Sequence, residues 1–423
     1  MKFYKVFLIF FIIIFFFNYI VFADDINEEI SHSFPSLIEV SSNINNEPTI
    51  NSRSAIVYDR ISGSIIFGKN ENQKRKMAST TKIMTAIIVL ETCNLDDIVI
   101  VSSNAAGTGG SRLGLHTNDK ISVRDLLYGL LLCSGNDAAV ALAEYVGGDL
   151  SSFANLMNEK SNSLELTSTH FVTPHGLDND IHYTTAYELA IITNYALKNE
   201  TFYNFVRTKN YTVTINGYSK TLSNTNELLG NLNGVYGVKT GFTNGASRCL
   251  VTAVKRDNMD LICIVLGADT KKDRTKDSIQ LIEYAFKNYT MINIREKIMT
   301  EFNNWKLCNS SNFEVQKGTS NHIDVVLADL PFDFFPVNCN HINDVSIYIY
   351  CKTTFEAPLN ANTAVGYLTV SIHNKNILSL DIYTSNSISQ KNFSDFLNDI
   401  IKNYTYHLES MVYKKIWYSL DKY

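Results

Sequence analysis

Met77-Ala78-Ser79-Thr80-Thr81-Lys82-Ile83-Met84-Thr85 opens an apolar stretch whose spacing predicts a helix from about Ser79 through Leu90. A serine hydroxyl is a poor nucleophile at its free pKa and needs a base beside it. At i and i+3 of a helix, the Ser79 hydroxyl and the Lys82 amine fall on one face within side-chain reach. A nucleophile at a helix start also gains backbone N–H donors and the positive dipole end, both of which favour a developing oxyanion. Any surface helix can produce serine-x-x-lysine by chance, so its weight depends on the rest of the chain.

Before this helix, Ala55-Ile56-Val57-Tyr58 and Ser64-Ile65-Ile66-Phe67 flank a Ser62-Gly63 turn and read as a β-hairpin. After it come four further helical stretches. Ser122 to Asp125 resembles a capping box before Leu126, Leu127, Leu130 and Leu131; the next stretch follows Asn136 and ends at Gly147-Gly148; the others span Phe153–Leu164 and Thr185–Leu197. Strands return near Val235–Thr240, Cys249–Val254 and Leu261–Leu266, and a helix over Ser278–Phe286 closes the region. Strand, helix, strand in this order predicts a sheet backed by a helical subdomain, an α+β arrangement and not an alternating parallel one. Beyond Tyr289 the period changes to two. Val345, Ile347 and Ile349 alternate with Ser346, Tyr348 and Tyr350, and Leu368, Val370 and Ile372 are followed across Asn374-Lys375-Asn376 by Leu378, Leu380 and Ile382. That pattern predicts a small antiparallel β domain. From Ser387 the spacing turns helical again, with Phe393, Phe396, Leu397, Ile400, Ile401, Tyr404, Leu408 and Met411 on one stripe.

A chain of 423 residues with 45% hydrophobic and 19% charged residues and only 6 prolines is globular and long enough for two domains. Its net charge of −5 gives no basic surplus for following a phosphate backbone, which argues against a nucleic-acid partner. Lys2 and Lys5 precede an unbroken apolar run from Val6 to Phe17, and Val21-Phe22-Ala23 supplies small residues where signal peptidase reads. Cleavage there would remove two lysines and no acid, taking the net charge from −5 to −7. Residues 1–23 are therefore expected to be a signal peptide and 24–50 a polar spacer, and the protein to work outside the cytoplasm. The 7 cysteines form no C-x-x-C pair and mostly sit in apolar runs, and the 9 histidines are scattered, His170, His175 and His182 being the closest group. No metal site and no cofactor is expected from these spacings.

Two further short signatures follow the serine and lysine. Ser134-Gly135-Asn136 falls in a break between two apolar helices; Ser-x-Asn also occurs at Ser41, Ser102 and Ser310, so alone it says little. Lys239-Thr240-Gly241 lies on a strand after Val235-Tyr236-Gly237-Val238, where a cation, a hydroxyl and a residue without a side chain would suit a bound carboxylate. S-x-x-K, S-D-N and K-T-G together form the set shared by penicillin-binding proteins and class A β-lactamases, and this chain carries it with Gly135 at the middle place of the second element.

With Leu126 to Ala139, His175-Gly176-Leu177-Asp178, Tyr183 to Ala190 and Gly237 to Thr243, the stretch from about Ser54 to Phe286 resembles the serine S11 D-alanyl-D-alanine carboxypeptidases, low-molecular-mass penicillin-binding proteins. It looks closest to those of spore-forming Gram-positive bacteria. Glu356-Ala357-Pro358 and Val365 to Val370 resemble the β domain that follows in the same family. The resemblance implies a β-lactamase/transpeptidase-like catalytic domain over 51–289, a small β-sandwich over 290–386 and an amphipathic helical tail over 387–423. It implies Ser79 as the acylated nucleophile, Lys82 as general base with its pKa lowered by desolvation and by Lys239, and Ser134 as proton relay. Asn136 would hold the peptide stem, and the N–H groups of Ser79 and Phe242 would form the oxyanion hole beside Gly241. Lys239, Thr240, Thr243 and Arg274 would bind the terminal carboxylate. One departure is visible: Arg248 stands where the family carries an aromatic, which bears on stem-peptide preference.

The implied partners are peptidoglycan stem peptides ending in D-Ala-D-Ala, β-lactams as covalent inhibitors, and, through the tail, a membrane surface. A β-lactamase would need a glutamate-held water, usually in E-x-x-L-N; Glu227-Leu228-Leu229-Gly230-Asn231 approaches that pattern without matching it. A non-catalytic, penicillin-sensing or wall-binding module is disfavoured by the intact Ser79 and Lys82. No G-x-S-x-G occurs to support an α/β-hydrolase triad.

Overall fold

Residues 47–309 and 312–420 are described by a computed structural model, in which the chain forms two compact units that divide between Thr290 and Met291. The expected signal peptide and all but the last residues of the expected spacer lie outside the described residues.

The first unit is built on one antiparallel sheet of five strands, in the order β2 (Ile65–Lys69), β1 (Ser54–Asp59), β9 (Met259–Ala268), β8 (Ser247–Arg256) and β7 (Val235–Thr243). The period of two sorts its residues between the two faces. Ile262, Ile264 and Leu266 join the helical core, while Cys263 between them meets the backbone of Ser278 on the helix Lys271–Asn288. Because both faces are covered, β8 and β9 are buried almost without interruption, which is why they read in the sequence as continuous apolar runs.

Between β2 and β7 lies the helical part, with two short antiparallel strand pairs: β3 (Ile98–Ile100) with β4 (Lys120–Ser122), and β5 (Asn210–Ile215) with β6 (Tyr218–Ser223). At its centre runs the helix Lys82–Thr92, in which all eight residues from Lys82 to Val89 are buried. Helices Val123–Leu131, Asn136–Gly147, Leu150–Ser163, Ala186–Ala196 and Glu200–Val206 surround it. Local chemistry starts most of these helices. Ser122, Asp149, Thr185 and Thr270 each accept a hydrogen bond from a backbone N–H three residues on. The expected helix at Ser79 differs in detail: Ala78–Thr81 is a 3-10 turn, and the α-helix proper starts at Lys82.

In the second unit β12 (Val325–Leu327), β17 (Lys375–Thr384), β16 (Ala364–Ile372) and β14 (Val345–Cys351) form a four-stranded antiparallel sheet in that order. β10 (Tyr289–Asn293), where one unit passes into the next, pairs with β13 (Phe334–Asn338). Two features depart from the all-antiparallel expectation. β11 (Glu314–Gln316) and β15 (Thr354–Glu356) pair in parallel, and a helix, Ile294–Asn309, supplies Ile294, Ile298 and Phe302 to the core beside Leu368, Val370, Leu380 and Ile382.

The tail also begins later than expected. Ile388 is buried in this core and its backbone bonds Leu359 in both directions, while Lys391 N–H donates to the Lys317 carbonyl. The final helix, Phe393–Leu420, starts only after these ties.

Candidate active site

The 3-10 turn places Ser79 at the mouth of the helix that carries Lys82. Lys82 is completely buried, and its Nζ lies 2.8 Å from Ser79 Oγ, 2.6 Å from Asn136 Oδ1 and 3.1 Å from the His175 carbonyl. Asn136 is fixed from its other end: Nδ2 donates to the Gly109 carbonyl at 2.7 Å, and its backbone N–H donates to the Ser111 carbonyl at 2.7 Å.

The loop carrying Gly109 and Ser111 is itself gathered by Asp137, a residue the sequence reading did not single out. Its wholly buried carboxylate accepts from the N–H groups of Leu113, Gly114 and Leu115 at 2.7 to 3.0 Å. The signal for it was present, since Asp137 directly follows Asn136. A carboxylate buried there must find donors, and the nearest backbone supplies them.

β7 lies against the turn. A Cβ at Gly241 would stand 3.1 Å from Ser79 N and 3.2 Å from Met77 O, so a residue without a side chain is what allows the strand to approach Ser79. Gly176 also lies close against the turn. At φ +86° an added Cβ would collide with the Ala78 carbonyl, and this position sets the His175 carbonyl on Lys82.

Lys239 and Thr240 are buried on β7; Lys239 Nζ donates to the Thr240 carbonyl at 3.0 Å, and Thr240 Oγ1 lies 2.8 Å from Thr225 Oγ1. Ser134 is 6% exposed and held at φ +61°, two residues before Asn136. Beside it, burial and then Asp137 push the Cys133 thiol up to about 11, while Lys220 and Lys239 pull the other way.

Two histidines report the electrostatics of the turn. Burial, then the charge of Lys82, holds His175 down at about 3. Burial, then His170, holds His182 at about 4. His182 Nδ1 accepts from the Val172 N–H at 2.9 Å, so its proton sits on Nε2, 2.8 Å from Thr81 Oγ1. Thr81 in turn donates to the Ala78 carbonyl at 2.8 Å, which braces the residue just before Ser79.

Two of the carboxylate contacts expected from the sequence have other partners. The Thr243 hydroxyl donates to Asp178 Oδ1 at 2.6 Å and accepts from the Ala246 N–H, so its single proton is already committed. The Arg274 side chain is fully buried, and its Nη2 pairs with Glu227 Oε1 at 3.2 Å. Glu227 is also bonded to Thr275 and lies 3.3 Å from Lys271 Nζ. A carboxylate held by a lysine, an arginine and a hydroxyl is an ion-pair anchor, a poor fit to a base that activates water. Arg248, at the family's aromatic position, lies over the Phe242 ring at 3.7 Å and is nearly buried.

A buried lysine against a serine at the start of a helix, with an asparagine and a K-T-G strand beside them, defines a class of acyl-transferring serine enzymes. A family model described as D-alanyl-D-alanine carboxypeptidase (peptidase S11) matches residues 41–270, and one described as the penicillin-binding protein 5 C-terminal domain matches residues 308–390. The chain belongs to the S11 D-alanyl-D-alanine carboxypeptidase family, serine-type hydrolases and penicillin-binding proteins.

The D-alanyl-D-alanine carboxypeptidase DacF of Bacillus subtilis is 30% identical over 359 residues, covering 84% of this chain and 90% of the relative. DacD of Escherichia coli is 32% identical over 370 residues, covering 83% and 90%. Among solved structures, penicillin-binding protein 5 from Haemophilus influenzae matches with a TM-score of 0.68 at 27% identity, over 82% of this chain and 99% of that one. The Streptomyces K15 DD-transpeptidase matches with a TM-score of 0.55 at 36% identity, over 57% and 99%.

Proposed function

We propose that this enzyme removes the terminal D-alanine from peptidoglycan stem pentapeptides through a Ser79 acyl-enzyme, outside the cytoplasm, and that β-lactams acylate the same serine. The observation that carries the reading is the Lys82 amine, 2.8 Å from Ser79 Oγ, with Asn136 Oδ1 and the His175 carbonyl as its further partners. Of these three oxygens only Ser79 Oγ carries a proton to give, so Lys82 in its free-amine form would take that proton as Oγ attacks the penultimate carbonyl.

The N–H groups of Ser79 and Phe242 would receive the oxyanion where β7 passes the turn. Ser134 would return the proton to the leaving amine, and Asn136 would hold the stem. Lys239 and Thr240 would face the terminal carboxylate with Gly241 leaving room, and Arg274 would add to the positive potential from behind. Thr243 is better read as a brace for the strand end through Asp178. Arg248 over Phe242 supports a stem-peptide preference of its own.

The same reading makes penicillin a slowly released inhibitor, because Glu227 is paired and does not resemble a water-activating base. The test is D-alanine release from a pentapeptide alongside nitrocefin turnover. Fast release with a persistent penicilloyl-enzyme is the expected result; rapid multiple-turnover nitrocefin hydrolysis without D-alanine release would establish the β-lactamase reading instead.

The tail would rest on a membrane surface. Supporting this, Phe393, Ile400, Tyr404 and Met411 are 62% exposed or more. No helix among the described residues is long and apolar enough to cross a membrane.

A further inference from the structure

The second unit brings together three side chains that the sequence keeps apart. Cys339–Asp344 forms a 3-10 segment that places His341 and Asp344 three residues apart. His373 comes from the two-residue turn between β16 and β17, where His373 at φ +47° and Asn374 at φ +62° occupy the two positions a type I′ hairpin needs. The turn is tied to the 3-10 segment by its backbone, His373 N–H donating to the Asp344 carbonyl at 3.3 Å.

The side chains converge on one point. His341 Nδ1 is 2.7 Å and His373 Nδ1 is 3.4 Å from the same oxygen, Asp344 Oδ2, and the two imidazole rings are 4.1 Å apart. One ligand atom from each residue lies within 4.8 Å of the other two. A tetrahedral ion with ligands at about 2.0–2.2 Å needs them about 3.3–3.5 Å from one another, a spacing the His373–Asp344 pair already has.

We propose that His341, Asp344 and His373 form a binding site for one divalent transition-metal ion, Zn²⁺ in the first instance, that staples the β16–β17 turn to the 3-10 segment. Two imidazole nitrogens and one carboxylate oxygen suit zinc, nickel or copper, whereas magnesium and calcium favour all-oxygen shells. All three side chains are solvent-accessible, at 36%, 44% and 67% exposure, so an ion can enter without unfolding the unit and a fourth position stays open to water. The site is distinct from the acyl-transfer machinery, all of whose residues belong to the first unit.

The test uses the untagged full chain, stripped with a chelator, dialysed against zinc and assayed for bound metal. One zinc per chain is expected, with a visible spectrum of a tetrahedral kind when cobalt replaces zinc. Asp344→Asn and His373→Gln should each weaken zinc binding about 100-fold or more, since loss of an outer-shell partner alone costs 10–100-fold. Both variants should release D-alanine at the unaltered rate, and without zinc they should melt as the stripped parent does, which reports that the second unit is folded. A zinc-induced rise in melting temperature should be present in the parent chain and absent from both variants. No zinc retained at tenfold excess, or equal retention by parent and variants, would overturn the proposal.

Discussion

Two helices of this protein carry apolar residues at helical spacing and meet opposite fates. In Lys82–Thr92 every residue through Val89 is buried, polar Lys82 and Thr85 included, because five helices surround it. In Phe393–Leu420 the whole stripe from Phe393 to Met411 is exposed, no member by less than 42%. Spacing states which face of a helix is apolar; whether that face is covered depends on what the rest of the chain brings to it. The first helix has an interior into which a lysine can be forced beside a serine. The second has an apolar face that the described residues leave exposed.

The contrast can be broken most severely at Ser79, the proposed nucleophile. Ser79→Ala should lower D-alanine release by a factor on the order of 10⁴–10⁶, as removal of a serine nucleophile does elsewhere. Covalent labelling should vanish with it, and an intact mass that still rises by one β-lactam would place the nucleophile at another residue. Lys82→Ala should cost roughly 10²-fold or more in acylation rate by removing the base. A normal rate of penicillin labelling in that variant would leave the base to be sought elsewhere.

A matched pair of truncations measures the contrast directly. Ile87→Ala, on the same helix as Lys82 and 3% exposed, should destabilise by about 2–5 kcal/mol. Ile400→Ala, 65% exposed, should change stability by no more than about 0.5 kcal/mol. Urea titrations giving comparable losses would mean that the final helix is packed after all.

The brace behind the turn should appear as a pH effect. Unfolded, His182 takes up its proton near 6.5; folded, burial delays that to about 4. Between those values the unfolded chain holds more protons, so stability should fall as pH drops through the window and be fully present above it. His182→Gln should make that fall shallower, with His175 supplying what remains; an unchanged slope in urea midpoints from pH 7 to 4 would remove His182 from the account.

The mildest effect on chemistry should come from deleting residues 393–423, a cut placed after Ile388 so that the β core stays whole. D-alanine release and melting temperature should hold while the protein moves from the membrane fraction to the soluble one. A marked fall in melting temperature would make the helix part of the fold.

Much of this was legible in the chain because it is local. Ser79 and Lys82 share a face through helical geometry, the caps at Ser122 and Thr185 act over three residues, and β8 and β9 announce themselves as apolar runs, whereas the closing helix, expected from Ser278, begins at Lys271 behind its Thr270 cap. The Ile294–Asn309 helix escaped notice because only three buried residues, spaced by four, mark it among charged neighbours.

The three motifs, the outer strand groups with the main helices between them, and the family could be read from the chain, since each depends on residues close together along it. Folding alone settled that the His175 carbonyl, 93 positions away, would receive Lys82, and that Glu227 would be claimed by Lys271 and Arg274. Among the described residues it also left the stripe from Phe393 to Met411 exposed, and it drew His373 onto His341 and Asp344. Local spacing fixes which way a side chain points, but its partner is set by where distant segments close, and that depends on the packing of the whole unit.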